Sequence, residues 1–372
     1  MNLRELDYDL PPECIAQWPL EARDASRMLL LDRRSGAWEE RQFREFPELL
    51  HGDELVVINT AHVLPARLFG QRKGIHAQPP GKHDPARHGH LITRVEVLLL
   101  RSFGDGEWEA LVRPGRKISV GEMIVFGEGE LEAEVTARAA FGLRRLKFSP
   151  TANLEKTIEL LGHIPLPPYI KREDSPVDRE RYQTIFARRG TAVAAPTAGL
   201  HFTAETLSQM RARGIEIAEI TLDVGLGTFE PIRTERLEEH HIHSESYEIP
   251  EAVAEAIASA HSDRRPVLAI GTTVVRALED AAEKCAESQH THSSRILGAR
   301  VAAGRAEANI FLYPGKEFHI VNQLLTNFHL PRSSLLALVS AFAGREAVLR
   351  AYRHAVESGY RFYSYGDCMW IR

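Results

Sequence analysis

The sequence predicts an α/β layered domain interrupted by a small antiparallel β-barrel. Two observations carry this. After residue 153, short apolar runs alternate with helical periodicity, the order of an α/β layer architecture with a largely parallel sheet. Between residues 67 and 151, strand-like segments follow one another closely and no helix is evident, the spacing of a barrel. Residues 1–66 and 152–372 would then build one discontinuous domain around an insertion at 67–151. In the first part, Met28–Leu31 and Leu55–Ile58 are short, apolar and bounded by polar residues, as buried strands are. In the insertion, Val95–Leu100, Trp108–Val112, Glu122–Phe126, Leu131–Thr136 and Leu143–Phe148 read as strands, separated in places by Gly104-Asp105-Gly106 and Gly127-Glu128-Gly129 turns. Beyond it, Leu154–Leu161 is a predicted helix, stopped by the proline-rich segment 164–169. Ala192–Ala195, Ile215–Leu222, Val267–Ile270 and Ile310–Tyr313 are predicted strands. Thr203–Arg213 (capped by Thr203), Glu251–His261, Val274–Ala286, Ser333–Phe342 and Arg345–Glu357 are predicted helices.

Composition narrows the function class. The chain has 372 residues, 44% hydrophobic and 26% charged, enough apolar material for a sizeable core. It holds no apolar run of membrane-spanning length and no apolar leader at its first residues. Cys14, Cys285 and Cys368 are few, odd in number and far apart, which fits a reducing cytoplasm rather than a disulfide framework. The net charge of −5 argues mildly against nucleic acid, but the stretch from Arg67 to Lys117 is locally basic, and binding depends on local patches. The histidines of segments 74–91 and 288–294 match no standard zinc spacing and read as surface loops.

Chemistry-bearing residues gather in polar turns, most of them at predicted strand ends, where ligands of α/β sheets sit. Ala194–Thr203 joins a strand to a helix and offers Pro196, Thr197, Gly199 and His201. Asp223–Phe229 has Gly225 and Gly227 around one residue, then Thr228; Glu230 stands where a third dinucleotide-binding glycine would be, so no such fingerprint is present. In Glu239–Glu245, the alternation of His241, His243 and Glu245 would put them on one face of a strand. Metal binding, acid/base work and a plain surface cluster all remain open there, His240 included. Gly271-Thr272-Thr273, with Arg276 a turn later, places hydroxyls and amides at a helix start. Leu325–Pro331 holds Thr326, Asn327 and His329, and Tyr363–Asp367 ends in Asp367. Each turn alone reads equally as ordinary structure. Together they suit a large, polar, multi-part ligand.

The segments RDASRMLLLDR (23–33), NTAHVLPARL (59–68), AAPTAGLHFT (194–203), VGLGTFEPI (224–232), EEHHIHSESY (238–247), GTTVVRALE (271–279), IFLYPGKEF (310–318), LLTNFHLPRSSLLALVSAFAG (324–344) and YRFYSYGDCMWI (360–371) resemble the S-adenosylmethionine:tRNA ribosyltransferase-isomerase family of queuosine synthesis. The similarity runs nearly end to end. It implies an α/β domain interrupted by a β-barrel. It also implies transfer and isomerisation of the ribosyl group of S-adenosylmethionine onto 7-aminomethyl-7-deazaguanine at the tRNA wobble position, giving epoxyqueuosine, adenine and methionine, with no metal or other cofactor. Two departures stand out: Asn59-Thr60-Ala61-His62 where relatives usually read Asn-Asp-Thr-Arg, and Asp223 where many have His. The expected catalytic residues are His201, His243, Glu245, His329 and Asp367. Expected substrate-binding residues are Arg23, Asp24, Arg67, Pro196, Thr197, Gly199, Gly225, Gly227, Thr228, His240, Gly271, Thr272, Thr273, Arg276, Thr326 and Asn327. Arg144, Arg145 and Lys147 are expected to hold tRNA phosphates, and a monomer is expected. The competing readings are a non-catalytic RNA-binding protein and a nucleoside hydrolase that needs no tRNA.

Overall fold

The computed structural model describes residues 1–73, 94–115, 118–139, 142–225, 232–290 and 300–372. Strands β1 (Arg27–Leu31) and β2 (Trp38–Gln42) form a hairpin, followed by the short helix α1 (Phe46–Leu49), β3 (Leu55–Asn59) and β4 (Ala61–Val63). The barrel comes next: β5 (Arg67–Arg72), β6 (Val95–Gly104), β7 (Glu107–Arg113), β8 (Met123–Phe126), β9 (Leu131–Arg138) and β10 (Leu143–Phe148). Its strands close in the order β10-β7-β6-β5-β8-β9, with every neighbouring pair antiparallel. The rest runs α2 (Leu154–Leu161), α3 (Pro176–Arg181), β11 (Arg189–Ala192), α4 (Ala204–Ala212), β12 (Glu216–Leu222), β13 (Glu245–Ile249), α5 (Glu251–Ser262), β14 (Val267–Ile270), α6 (Thr272–His290), β15 (Gly304–Ala308), β16 (Gln323–Asn327), α7 (Ser334–Ala343), α8 (Arg345–Glu357) and β17 (Cys368–Ile371).

One large sheet, ordered β15-β13-β12-β3-β14-β16-β17-β1-β2, unites segments from before and after the barrel. Its central strands β3, β14, β16, β17 and β1 are largely apolar because both faces are covered, and the period of two divides them between two cores. Leu29, Leu31, Leu55 and Val57 pack into a core with residues of α5–α8. Met28, Leu30, Val56 and Ile58 pack into a second with Phe43, Phe46, Phe202 and Met210. The barrel has its own core, built on Leu68, Val97, Trp108, Phe126 and Leu146. Where the chain enters and leaves the barrel, Arg67 and His163 exchange backbone hydrogen bonds (3.2 and 2.8 Å). Among the described residues, no helix is long and apolar enough to cross a membrane.

The sheet is mixed rather than largely parallel. β12, β3, β14 and β16 run parallel, as does β1 with β17, but β13, β15 and β2 pair antiparallel and so do β16 and β17. The sequence hides these antiparallel members. β2 is an exposed edge (Trp-Glu-Glu-Arg-Gln) with no apolar alternation, and β13 begins on a buried carboxylate. The strand expected at Ile310–Tyr313 is irregular chain; the strand lies just before it, as β15. The one expected at Ala192–Ala195 ends at Ala192, because the next residues already turn into the site. The cap on α4 is as expected: the Thr203 hydroxyl accepts from the Thr206 amide.

Candidate active site

The parallel strands end on one edge, and the turns beyond them meet there. Tyr169, Pro196, Thr197, Gly271, Thr272, Thr273, Thr326, Asn327, His329 and Ser364 line one cavity of about 40 Å3. Beside it lies a cleft of about 1,100 Å3, walled on one side by the outer face of β6, β7 and β10 and on the other by Asp223, Gly225, His243, Glu245 and Glu307. The two spaces share a partition, since the Val193 amide donates to the Val224 carbonyl at 3.0 Å, with Ala194 and Val224 facing the cavity and Val193, Asp223 and Gly225 the cleft. A nucleoside needs a few hundred Å3. The cleft supplies that volume and the cavity supplies polar atoms.

Two glycines show different local needs. Gly271 has φ of +96° between β14 and α6, a conformation that strains any side chain. Gly199 is required by packing instead, since a Cβ there would stand 2.7 Å from the Phe186 ring.

The two expected histidines are not equivalent. His329 lines the cavity; its Nε2 meets the Thr326 hydroxyl at 2.9 Å, and its Nδ1 has no partner among the described residues. Its backbone is pinned by Tyr352, whose hydroxyl accepts from the amide at 3.2 Å, and by Tyr8, whose hydroxyl donates to the carbonyl. His201 sits behind the cavity. Asn327 donates its amide to the Tyr363 carbonyl at 2.9 Å, which turns its oxygen towards His201 Nε2 at 3.3 Å. Nε2 therefore carries the proton, and Nδ1 accepts from Ser26 at 2.6 Å. Both nitrogens of His201 are used; among the described residues, one of His329 is not.

Burial drives both imidazoles towards the neutral form. His201 falls to about 4, with burial outweighing its bond to Asn327, and His329 falls to about 3. Above pH 6.5, the ordinary value, neither state binds the proton. Below it the unfolded chain protonates and the folded chain does not, so stability falls with pH down to about 4. Urea unfolding at stepped pH should show this acid loss, and His329→Gln should make it shallower between pH 6.5 and 4. An unchanged slope would contradict a buried neutral His329.

Glu245 and Arg276 form a buried ion pair. Glu245 also accepts the Gly225 amide at 3.0 Å, and Arg276 donates to the carbonyls of His243 and Ala308, both at 3.2 Å. The expected strand carrying His241, His243 and Glu245 exists only from Glu245 onward. His241 and His243 are exposed on irregular chain, and His240 lies edge-on to Phe311 at 5.0 Å. Asp367 faces neither space. Its two oxygens accept the amides of Arg27 and Arg361, both at 2.8 Å, and burial outweighs those bonds to raise its pKa. Arg23 reaches the carbonyls of Leu200 and Glu180 beside His201. Asp24 is half-buried in the same turn, while Arg67 pairs with Glu96 at 2.8 Å in a separate groove under the barrel. Thr60, at the first departure, is a strand tie whose hydroxyl donates to the Ile220 carbonyl. Gly227 and Thr228 lie outside the described residues, as do most of the histidines of segments 74–91 and 288–294.

With this geometry in view, the comparisons decide the family. A family model described as "Queuosine biosynthesis protein" matches residues 3–371. The chain belongs to the queuosine biosynthesis protein family. Relatives named S-adenosylmethionine:tRNA ribosyltransferase-isomerase include one from Solibacter usitatus, 52% identical, and one from Moorella thermoacetica, 47% identical, each covering 100% of both chains. The crystal structure of an S-adenosylmethionine tRNA ribosyltransferase from Thermotoga maritima is similar across 99% of this chain and 100% of that one, with 34% identity and a TM-score of 0.51. In this queuosine biosynthesis protein, reasoning from the sequence missed Tyr169, whose hydroxyl meets Ser364 at 2.6 Å; it placed Tyr363 in a candidate turn but not the contact by which this non-glycine residue at φ +73° fixes Asn327. The proline run before Tyr169 was legible only as a helix stop.

Proposed function

We propose that this chain transfers and isomerises the ribosyl group of S-adenosylmethionine onto 7-aminomethyl-7-deazaguanine at the tRNA wobble position, giving epoxyqueuosine, adenine and methionine. The observation that carries this reading is the convergence of four separate turns on one polar cavity beside a nucleoside-sized cleft, in a chain similar end to end to proteins named S-adenosylmethionine:tRNA ribosyltransferase-isomerase. The reaction needs a base to take a proton from the carbon next to the sulfonium. We assign this to His329, which is neutral and has a ring nitrogen to spare. His201 then acts through Asn327 as a positioning residue. Thr273, whose buried hydroxyl has no partner among the described residues, supplies a hydrogen bond to the bound nucleoside. Asp367 and Glu245 are assigned to positioning as well, because amides and Arg276 occupy their oxygens. The barrel face with Arg145 and Lys147 is assigned to the tRNA backbone, and Arg144, which donates to the carbonyls of Gly115 and Leu143, to holding that face in shape.

The test is chromatography of the small-molecule products. Given S-adenosylmethionine and tRNA bearing the aminomethyl base, the protein should release adenine and methionine in equal amounts. No metal should be needed, and a chelator should not inhibit. S-adenosylhomocysteine as main product, or adenine release at full rate without tRNA, would sink the assignment.

A further inference from the structure

Phe103 lies near the end of β6, and 42% of its surface is exposed. Among the described residues, the ring belongs to none of the apolar cores. It is also surrounded by positive charge. The Arg145 guanidinium stands 3.9 Å from the ring centroid and that of Arg101 5.5 Å away. Lys147, on the same strand as Arg145, donates to the Asp105 carbonyl and is exposed. Arg145 is partly neutralised by Glu107 at 3.8 Å, whereas Arg101 and Lys147 form no ion pair among the described residues. Leu100, Arg101 and Ser102, the residues just before Phe103, line the cleft wall. At about 3.3 Å per residue along a strand, the ring stands within roughly 10 Å of that wall.

An exposed aromatic ring interleaved with guanidinium groups is the chemistry that holds unpaired nucleobases: the ring stacks on the base and the cations meet the phosphates on either side. We infer that Phe103, with Arg101 and Arg145, is a stacking platform for an unpaired base of the RNA loop whose neighbour enters the cleft. Double-stranded RNA is not its ligand, since paired bases do not offer their faces. The inference rests on the proposal that a tRNA is the substrate, and it adds a base contact, made by the barrel, that the phosphate contacts do not include.

The test measures binding of an RNA hairpin with an anticodon-type loop, and of the same stem as continuous duplex, to the whole protein. Phe103→Ala and Phe103→Leu should each weaken hairpin binding about 5- to 100-fold, the scale of one lost base stack. Leu keeps the apolar bulk, so its failure to rescue separates stacking from burial. Phe103→Trp should keep the affinity, and its added indole should be quenched by the hairpin but not by the duplex. S-adenosylmethionine binding and unfolding midpoints should not change. Wild-type affinity in the Ala variant, or an unquenched indole in the Trp variant while the hairpin is bound, would overturn the platform. Failure of the wild-type protein to bind the hairpin at all would overturn the tRNA reading beneath it.

Discussion

Replacement of His329 by Gln lowers turnover at least about 100-fold, the lower end of what a positioned base contributes, while substrate binding persists. The expectation follows from what the two histidines touch. His329 faces the cavity with one ring nitrogen engaged by Thr326 and one without a partner among the described residues. Gln can keep the bond to Thr326 but cannot take a proton. His201 has both nitrogens engaged, so His201→Gln should act through a displaced Asn327. Its loss should be smaller, with a raised KM alongside the reduced kcat. Single-turnover adenine release separates the cases. Equal losses in the two variants, or a near-normal rate for His329→Gln, would remove His329 from proton transfer.

Arg276→Ala has the largest expected effect on stability, about 3–5 kcal/mol, because it removes the cation paired with a buried carboxylate. Glu245 is almost fully buried, and Arg276 is the cation directly paired with it. The double variant Glu245→Gln with Arg276→Met should recover part of the loss, since removing both charges costs less than leaving one. Urea unfolding of the single and double variants checks this. A double variant less stable than Arg276→Ala would mean that the bonds from Arg276 to His243 and Ala308 matter more than the charge pair.

The large features were legible in the sequence for simple reasons. Barrel strands announce themselves by period-two burial and glycine turns, and Leu55–Ile58 by an unbroken apolar run. The site turns were legible because small and hydroxyl residues follow strands there. What escaped was set by long-range contacts. That His201 has its Nε2 engaged depends on Asn327 being turned by Tyr363, 36 residues away, and His329 is held by Tyr8 and Tyr352, far off in the chain. Asp367 stands in a turn that looks like a site, and only the structure reveals that two backbone amides occupy it. Edge strands such as β2 carry no apolar pattern because water, not a core, covers them.

The position of β17 has a consequence for how the molecule is made. The hairpin of β1 and β2 joins the large sheet only through β17, which lies between β1 and β16. On a ribosome, the hairpin's residues emerge early, yet their docking partner at residues 368–371 emerges long after the barrel is complete. The barrel, whose strands pair with one another in a closed sheet, can close during synthesis, whereas Met28, Leu29, Leu30 and Leu31 have β2 on one side but stay without β17 on the other throughout. That interval is when these four apolar side chains are open to association with other nascent chains, and it ends when the Cys368–Ile371 segment slots in between.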